Sequence, residues 1–497
     1  MDFTSIKKLA GQTATYGLSS ILGRVLNYFL VPLYTRVFTT DQYGVVTEMY
    51  AYVAFLIIIL TYGMETAFFR FSSDPGIKRT VYGTALRSIL TTSAIFILIT
   101  SFFSQPIADW LRYPDHNEYV IWFAIIVGMD ALSTIPLAKL RQQNKAFIFV
   151  AANFVSIGLN IGLNLFFLVY CKNQYQSFGS ESNWLVNTLY SPETGVGYVF
   201  ISNLIASIGK ILFLSPWIIS RGHAFSSNTL KKMLLYGSPL LIAGLAGIVN
   251  EAIDRVMLKR LLMDLKGEMY ALNQLGIYGA CYKIAMIIAI FIQAFRFAAD
   301  PFFFAEKGKK NAKAVYATVM HFFVIACSFI FLAIMLHIDI VMLFVGKEFR
   351  EGAHIIPILL FANLCLGIYY NLSIWYKLTG ATQFGAYIAI GGAIITVLLN
   401  YFLIPTLGYV GSAWATLACY FSMTIASYII GQKMFPVKYR LEKIIGYPLL
   451  ALGLYFISTQ VLIGQELNKL ISNALILLVF IGLVLAMERK LLDKLIK

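Results

Sequence analysis

Residues 41–71, DQYGVVTEMYAYVAFLIIILTYGMETAFFRF, return 232 positions later as residues 273–303, NQLGIYGACYKIAMIIAIFIQAFRFAADPFF. Both stretches open on a polar turn and run into an apolar segment long enough to cross a bilayer, which takes about 20 residues. Identical pairs are Gln42/Gln274, Gly44/Gly276, Tyr50/Tyr282, Ile58/Ile290, Ala67/Ala299 and Phe71/Phe303. Weaker matches extend the correspondence in order. GRVL at Gly23 answers DRVM at Asp254, VYGTAL at Val81 answers VYATVM at Val315, and GLNLFFL with Asn164 answers LLNYFLI with Asn400. VGYVF at Val196 answers VGSAW at Val410, with the offset shortened by an insertion at 171–195 in the first half. Any one match is what apolar segments produce by chance; an ordered, slowly drifting offset is a duplicated unit. Each copy holds six helices, an even number, so both face the same way: a parallel repeat, with a substrate site expected between the halves near mid-membrane.

The rest of the chain agrees with a polytopic, all-α membrane protein. Of 497 residues, 59% are hydrophobic and 13% charged, against about 45–50% and about 25% in soluble proteins. Mean hydropathy is +0.75. This excludes a soluble enzyme, a nucleic-acid-binding module and a peripheral membrane protein. Fourteen transmembrane helices are expected, six in the first copy at 10–37, 43–71, 80–104, 118–138, 147–170 and 197–219. The second copy gives 233–261, 274–304, 314–336, 353–376, 384–404 and 409–431, and two more follow at 443–463 and 468–487. The expected organisation is two pseudo-symmetric six-helix lobes, 1–220 and 221–435, then helices 13 and 14 with the C-terminus over 436–497.

The net charge of +15 reads as lysine- and arginine-rich cytoplasmic loops. Lys307, Lys309, Lys310 and Lys313 share one side with Lys438, Arg440 and Arg489 when both termini lie inside; Lys259, Arg260 and Lys266 fall on the poorer, outer side. The N-terminus MDFTSIKKLAGQ carries no cleavage-site pattern and reads as a native cytoplasmic end. Five cysteines without CxxC spacing and five histidines without ligand spacing point to no metal or disulfide framework. There is no GxxxxGK[ST] sequence, so nucleotide hydrolysis by that route is excluded, and the longest outer loop, 171–195, is short for an enzyme's external domain. No enzyme activity and no cofactor are expected beyond a coupling H+ or Na+.

Ionisable residues inside the spans are costly and therefore functional candidates. Arg24 and Arg255 occupy equivalent repeat positions, and guanidinium suits phosphate recognition; with Lys283 and Arg296 they form the expected substrate-binding set. Glu48, Glu65, Asp254 and Asp300 are the expected coupling or gating carboxylates. Repeat register suggests the pairs Asp254–Lys283 and Glu65–Arg296, which would equally serve as structural ion pairs. Arg87, Asp130 and Lys210 read as isolated, snorkelling or locally paired charges.

Several stretches resemble the polysaccharide transporter (Wzx-type flippase) branch of the MOP exporter superfamily. They are SIKKLAGQTATYGLSSILGRVLNYFLVPLYTRVF from Ser5, GMETAFFRF from Gly63, NEAIDRVML from Asn250, GIYGACYKIAMII from Gly276 with Pro301, VGKEFREGAHIIPILL from Val345 and GYVGSAWATL from Gly408. The resemblance implies alternating-access flipping of undecaprenyl-pyrophosphate-linked oligosaccharide (an O-antigen, capsule or exopolysaccharide unit) across the bacterial inner membrane. It also implies membrane lipids as partners and, among proteins, others of polysaccharide assembly, with no nucleic acid. A lipid II flippase, a drug/cation antiporter of the same fold and a membrane polysaccharide polymerase are the alternatives.

Overall fold

The computed structural model describes residues 21–23, 25–179, 183–219, 224–461 and 466–496, and contains no strand among them. Thirteen of the described helices are long and apolar enough to cross a membrane. The remaining expected span, 10–37, lies partly outside the described residues, over 10–20 and at 24; its end is the helix Leu30–Val37 (α1). The first repeat continues with Thr40–Thr61 (α2), Met64–Phe71 (α3), Lys78–Phe102 (α4), Ser104–Leu111 (α5), Asn117–Gln142 (α6), Ala146–Leu165 (α7) and Gly197–Ile219 (α8). Then come Ser227–Lys266 (α9), Glu268–Glu306 (α10), Ala312–Leu336 (α11), Ile356–Leu372 (α12), Gln383–Leu407 (α13), Tyr409–Met434 (α14), Leu441–Val461 (α15) and Glu466–Ile496 (α16). Large apolar side chains such as Phe102 and Phe147 are 81% and 85% exposed, which only a lipid solvent makes favourable.

Local signals place the helix ends. Thr39 caps α2 in a capping box with Gln42, and Ser226 caps α9 by accepting from the Thr229 amide. The expected span 43–71 is interrupted at Tyr62 and Gly63, both left-handed with φ of 33° and 71°. The break lies where α9 crosses: a Cβ at Gly63 would come 2.8 Å from the Gly237 carbonyl oxygen, and one at Gly237 the same distance from that of Tyr62. Glycine is needed there for both its φ and its bareness.

Contacts divide the chain into two compact units, Met1–Gly276 and Ile277–Lys497. In the first, α4, α6, α7 and α8 pack side by side, and α9 lies against α2, α3 and α4. Its core is built from Met64, Phe68, Ile89, Val127, Ile135 and Met233. The first turns of α2 and α10 also meet within this unit. A Cβ on Gly276 would overlap the Thr40 carbonyl, whose carbon would lie 2.8 Å away, and one on Gly44 would overlap the Leu272 carbonyl, with its carbon at 2.9 Å. Beside this crossing the Thr40 hydroxyl donates to Asn273 Oδ1 at 2.5 Å. In the second unit, α11 packs against α12, α15 and α16, while α12 and α13 each pack on α14.

Helix α9 has 40 residues and so measures about 60 Å, twice the ~30 Å hydrocarbon core. It runs past the expected end at 261 and so carries Lys266, as well as Lys259 and Arg260, as helical residues.

Candidate functional site

The first unit holds a charge pair with no solvent access. Lys259 of α9 and Glu48 of α2 are both 0% exposed, with Nζ 2.8 Å from Glu48 Oε2. The same oxygen accepts from Tyr113 at 2.5 Å and the other from Tyr52 at 3.2 Å. Lys259 also donates to the Leu111 carbonyl at 3.0 Å and lies 3.9 Å from the centroid of the Tyr113 ring. Glu268, at the start of α10, stands 4.0 Å away. Burial first, and the Glu48 charge second, hold the Tyr113 hydroxyl well above its ordinary pKa; it stays protonated and donates. Both carboxylate oxygens and the ammonium have hydrogen-bond partners, the condition under which a buried ion pair is tolerated. The pair ties α2, α9 and the α5–α6 connection together. Against it lies an apolar cavity of about 400 Å³, lined by Met49, Tyr52, Phe96, Trp110, Phe123 and Val256.

Sequence reasoning found Glu48 and missed its cation, because a lysine at the end of an apolar window reads as a loop residue. The signal that was present is the spacing Asn250, Asp254, Leu258, Leu262, a buried face that runs beyond the hydropathy window. Asp254 is 2% exposed and accepts from the Arg255 amide at 2.8 Å. The Arg255 side chain donates to the Glu251 carbonyl at 3.1 Å. Arg24, its repeat counterpart, lies outside the described residues. Lys283 belongs to the second unit and Asp254 to the first.

Toward the opposite end of the first unit, Glu65 forms its ion pair with Arg141 of α6. The Arg141 guanidinium also sits over the Phe69 ring at 5.0 Å. Glu65 thus takes a cation from its own unit, one that repeat register could not indicate because Arg141 sits at a helix end and reads as a loop charge. Asp130 and Lys210, isolated in the sequence and read as snorkelling or locally paired, pair with each other at 2.6 Å across α6 and α8, and Ser207 donates to the same oxygen at 3.2 Å. Two groups meet in register across neighbouring helices here, where the sequence shows only single charges.

In the second unit the Arg296 guanidinium stacks on Tyr370 at 3.9 Å from the ring centroid. Its Nε is buried without a hydrogen bond. One turn on, Asp300 receives Lys377 on both oxygens at 3.1 Å. Arg296 is therefore a cation held by an aromatic face, with no carboxylate paired to it among the described residues. An apolar cavity of about 740 Å³ lies between α11, α12, α14 and α15, lined by Leu364, Ile368, Phe421, Ile445 and Leu449 among others. Among the described residues no group of three or more His, Cys, Asp or Glu could hold a metal.

Residues 9–306 match the family described as polysaccharide biosynthesis protein, and residues 261–402 match the MatE family. Among curated protein sequences none matches. Of solved structures, the chain is similar to the lipid II flippase MurJ in an inward closed conformation, with TM-score 0.74 and 14% identity over 96% of this chain and 99% of that one. It is also similar to the MATE multidrug transporter DinF-BH (TM-score 0.59, 16% identity, 87% and 96% covered). An inward-facing MATE family multidrug resistance transporter of the MOP superfamily gives TM-score 0.56 at 17% identity, with 87% and 94% covered. At these identities the likeness is one of fold alone, and the fold is all-helical. The match to residues 9–306, more than half of the sequence, settles the family: the chain belongs to the polysaccharide biosynthesis protein family.

Proposed function

We propose that this protein flips polyprenyl-pyrophosphate-linked oligosaccharide units across the bacterial cytoplasmic membrane by alternating access, with both termini in the cytoplasm. The family match over residues 9–306 carries this reading. Two features of the structure support it. Arg296 is a partly buried cation without a carboxylate partner among the described residues, suited to a pyrophosphate whose charge costs several kcal/mol, about 2.5 or more, when left bare at the bilayer centre. The apolar cavity beside α15 offers a lipid tail a surface apart from the charged groups. Arg255 is the second proposed headgroup ligand. In a flippase-deficient strain, Arg255→Ala and Arg296→Ala are expected to reach the membrane at normal levels. They should fail to complement, and the cargo should accumulate on its lipid; Lys at either site should restore function only partly, because the planar fork is lost. Full complementation by the double alanine variant refutes the assignment.

The TM-score of 0.74 to a lipid II flippase, above those of the MATE transporters, favours lipid II as the second cargo. Accumulation of lipid II in the deletion strain, with lipid-linked oligosaccharide unchanged, selects that cargo.

Coupling to an H+ or Na+ gradient is assigned to Glu65, with Asp300 second. The Glu65 side chain is 39% exposed and paired with Arg141, so a cation from the aqueous phase competes with a guanidinium for one carboxylate. Glu65→Gln is expected to make flipping in reconstituted vesicles indifferent to an imposed pH or sodium gradient. A full gradient response in that variant makes Glu65 structural.

A further inference from the structure

Helices α11, α15 and α16 converge on a second buried polar cluster, remote in sequence from every residue assigned above. Glu488 of α16 is 1% exposed and His321 of α11 is 2% exposed. Glu488 Oε1 accepts from both Lys443 and Tyr447 of α15, the tyrosine at 2.5 Å. His321 Nε2 approaches the same oxygen at 3.2 Å, off the hydrogen-bonding line. Both imidazole nitrogens and Glu488 Oε2 are buried without a hydrogen bond among the described residues. An imidazole must carry at least one N–H, so a donor is left unused beside a carboxylate with an empty oxygen. Buried polar atoms are rarely left so. The ring also stands 5.5 Å from that of Tyr447, and Arg440 adds its charge from the segment leading into α15.

We propose that His321 and Glu488 form a proton-binding site that exchanges a proton for the Lys443 ammonium and so sets how α15 docks on α11. The exchange conserves buried charge. In one state Lys443 neutralises Glu488 and His321 is neutral. In the other a proton from water binds the second ring nitrogen, the imidazolium donates to Glu488, and Lys443 withdraws with its own charge. Lys443 can leave because its side chain is 21% exposed, whereas those of His321 and Glu488 are 3% and 1% exposed. Swapping one cation for another avoids the uncompensated buried charge that simple protonation of any member would create. The consequence reaches the apolar cavity directly. Met320, the neighbour of His321, forms one wall, and Ile444, Ile445 and Pro448, which follow Lys443 along α15, form the other. Releasing Lys443 loosens α15 on the face opposite that wall. The site stands on its own geometry, whether or not the cavity takes the lipid tail proposed above.

The test uses the full chain in lipid nanodiscs without cargo. Spin labels are placed at Phe456→Cys on α15 and Phe402→Cys on α13, both well exposed; the five native cysteines are all buried and a sample without added cysteines sets the background. The label-to-label distance distribution is expected to shift between about pH 8 and about pH 5, the range over which imidazole titrates. His321→Gln, which hydrogen-bonds but takes no proton, should hold the high-pH distribution throughout. Lys443→Met, which strips Glu488 of its resting cation, should already show the low-pH distribution at the upper pH. A wild-type protein without a shift, a His321→Gln variant that keeps it, or a Lys443→Met variant that behaves as wild type overturns the proposal. Loss of flipping with this pH response intact counts against the cargo reading alone.

Discussion

Lys259→Met is expected to destabilise the protein by about 3–5 kcal/mol, because it strands the Glu48 carboxylate in a site with no solvent access. The lysine stem is replaced by a side chain of similar length, so little packing is lost and the cost comes from charge. Glu48→Gln should cost a comparable amount by stranding the ammonium. The double variant Lys259→Met/Glu48→Leu removes both charges and should recover most of the loss, since apolar replacement of a whole buried pair is often neutral. Unfolding titrations of the purified protein in detergent, compared in one double-mutant cycle, give the coupling directly. A double variant as unstable as the sum of the singles would show that the two side chains do not share an interaction. Tyr113→Phe should lose less, about 1–3 kcal/mol, because Glu48 keeps its lysine when one hydrogen bond is gone.

Gly276→Ala is expected to be the most damaging single-methyl change. Its Cβ would overlap the Thr40 carbonyl oxygen and lie 3.1 Å from the Gly44 amide nitrogen, and both are backbone atoms that no rotamer change can move. The first turns of α2 and α10 must then separate. Cysteines at Thr40 and Asn273, whose side chains now touch at 2.5 Å, report the separation. They should form a disulfide readily in the parent protein and arrest flipping until reduced. With Gly276→Ala added, the crosslink should largely disappear. Gly391→Ala, with nothing within 4 Å of its added methyl, is the control and should change neither. Crosslinking at the parent rate in Gly276→Ala would mean that the crossing tolerates the methyl and that these glycines are incidental.

Much of the architecture was legible in the residue order. Apolar runs of bilayer length have one stable solution, and repeat register picked out Gly44 and Gly276 as equivalent before their contacts were known. The break at Tyr62 and Gly63 was not legible, because a lone glycine inside an apolar run is tolerated by many helices and only the crossing of α9 requires it here. Ion pairing was the least legible layer. Lys259, Arg141 and Lys443 sit at the ends of apolar runs, where hydropathy assigns charge to loops, and their partners lie tens to hundreds of positions away. Glu48 and Glu65 were found because a carboxylate inside an apolar run stands out. Glu488 was missed because it falls one residue beyond the expected end of the last span and beside Arg489, where it reads as a solvated charge.

The crossing of α2 and α10 also bears on ancestry. Thr40 and Leu272 are equivalent at the offset of 232, as are Gly44 and Gly276, and the contacts run from Gly276 to Thr40 and from Gly44 to Leu272. A patch in which i meets j while j meets i is the signature of an isologous interface between identical subunits. A single ancestral half could have made this contact with a second copy of itself, before any fusion joined them. Fusion frees each side to drift alone, and the Thr40–Asn273 hydrogen bond marks that freedom: its mirror image would join Leu272 to Asp41, and a leucine side chain has nothing to donate.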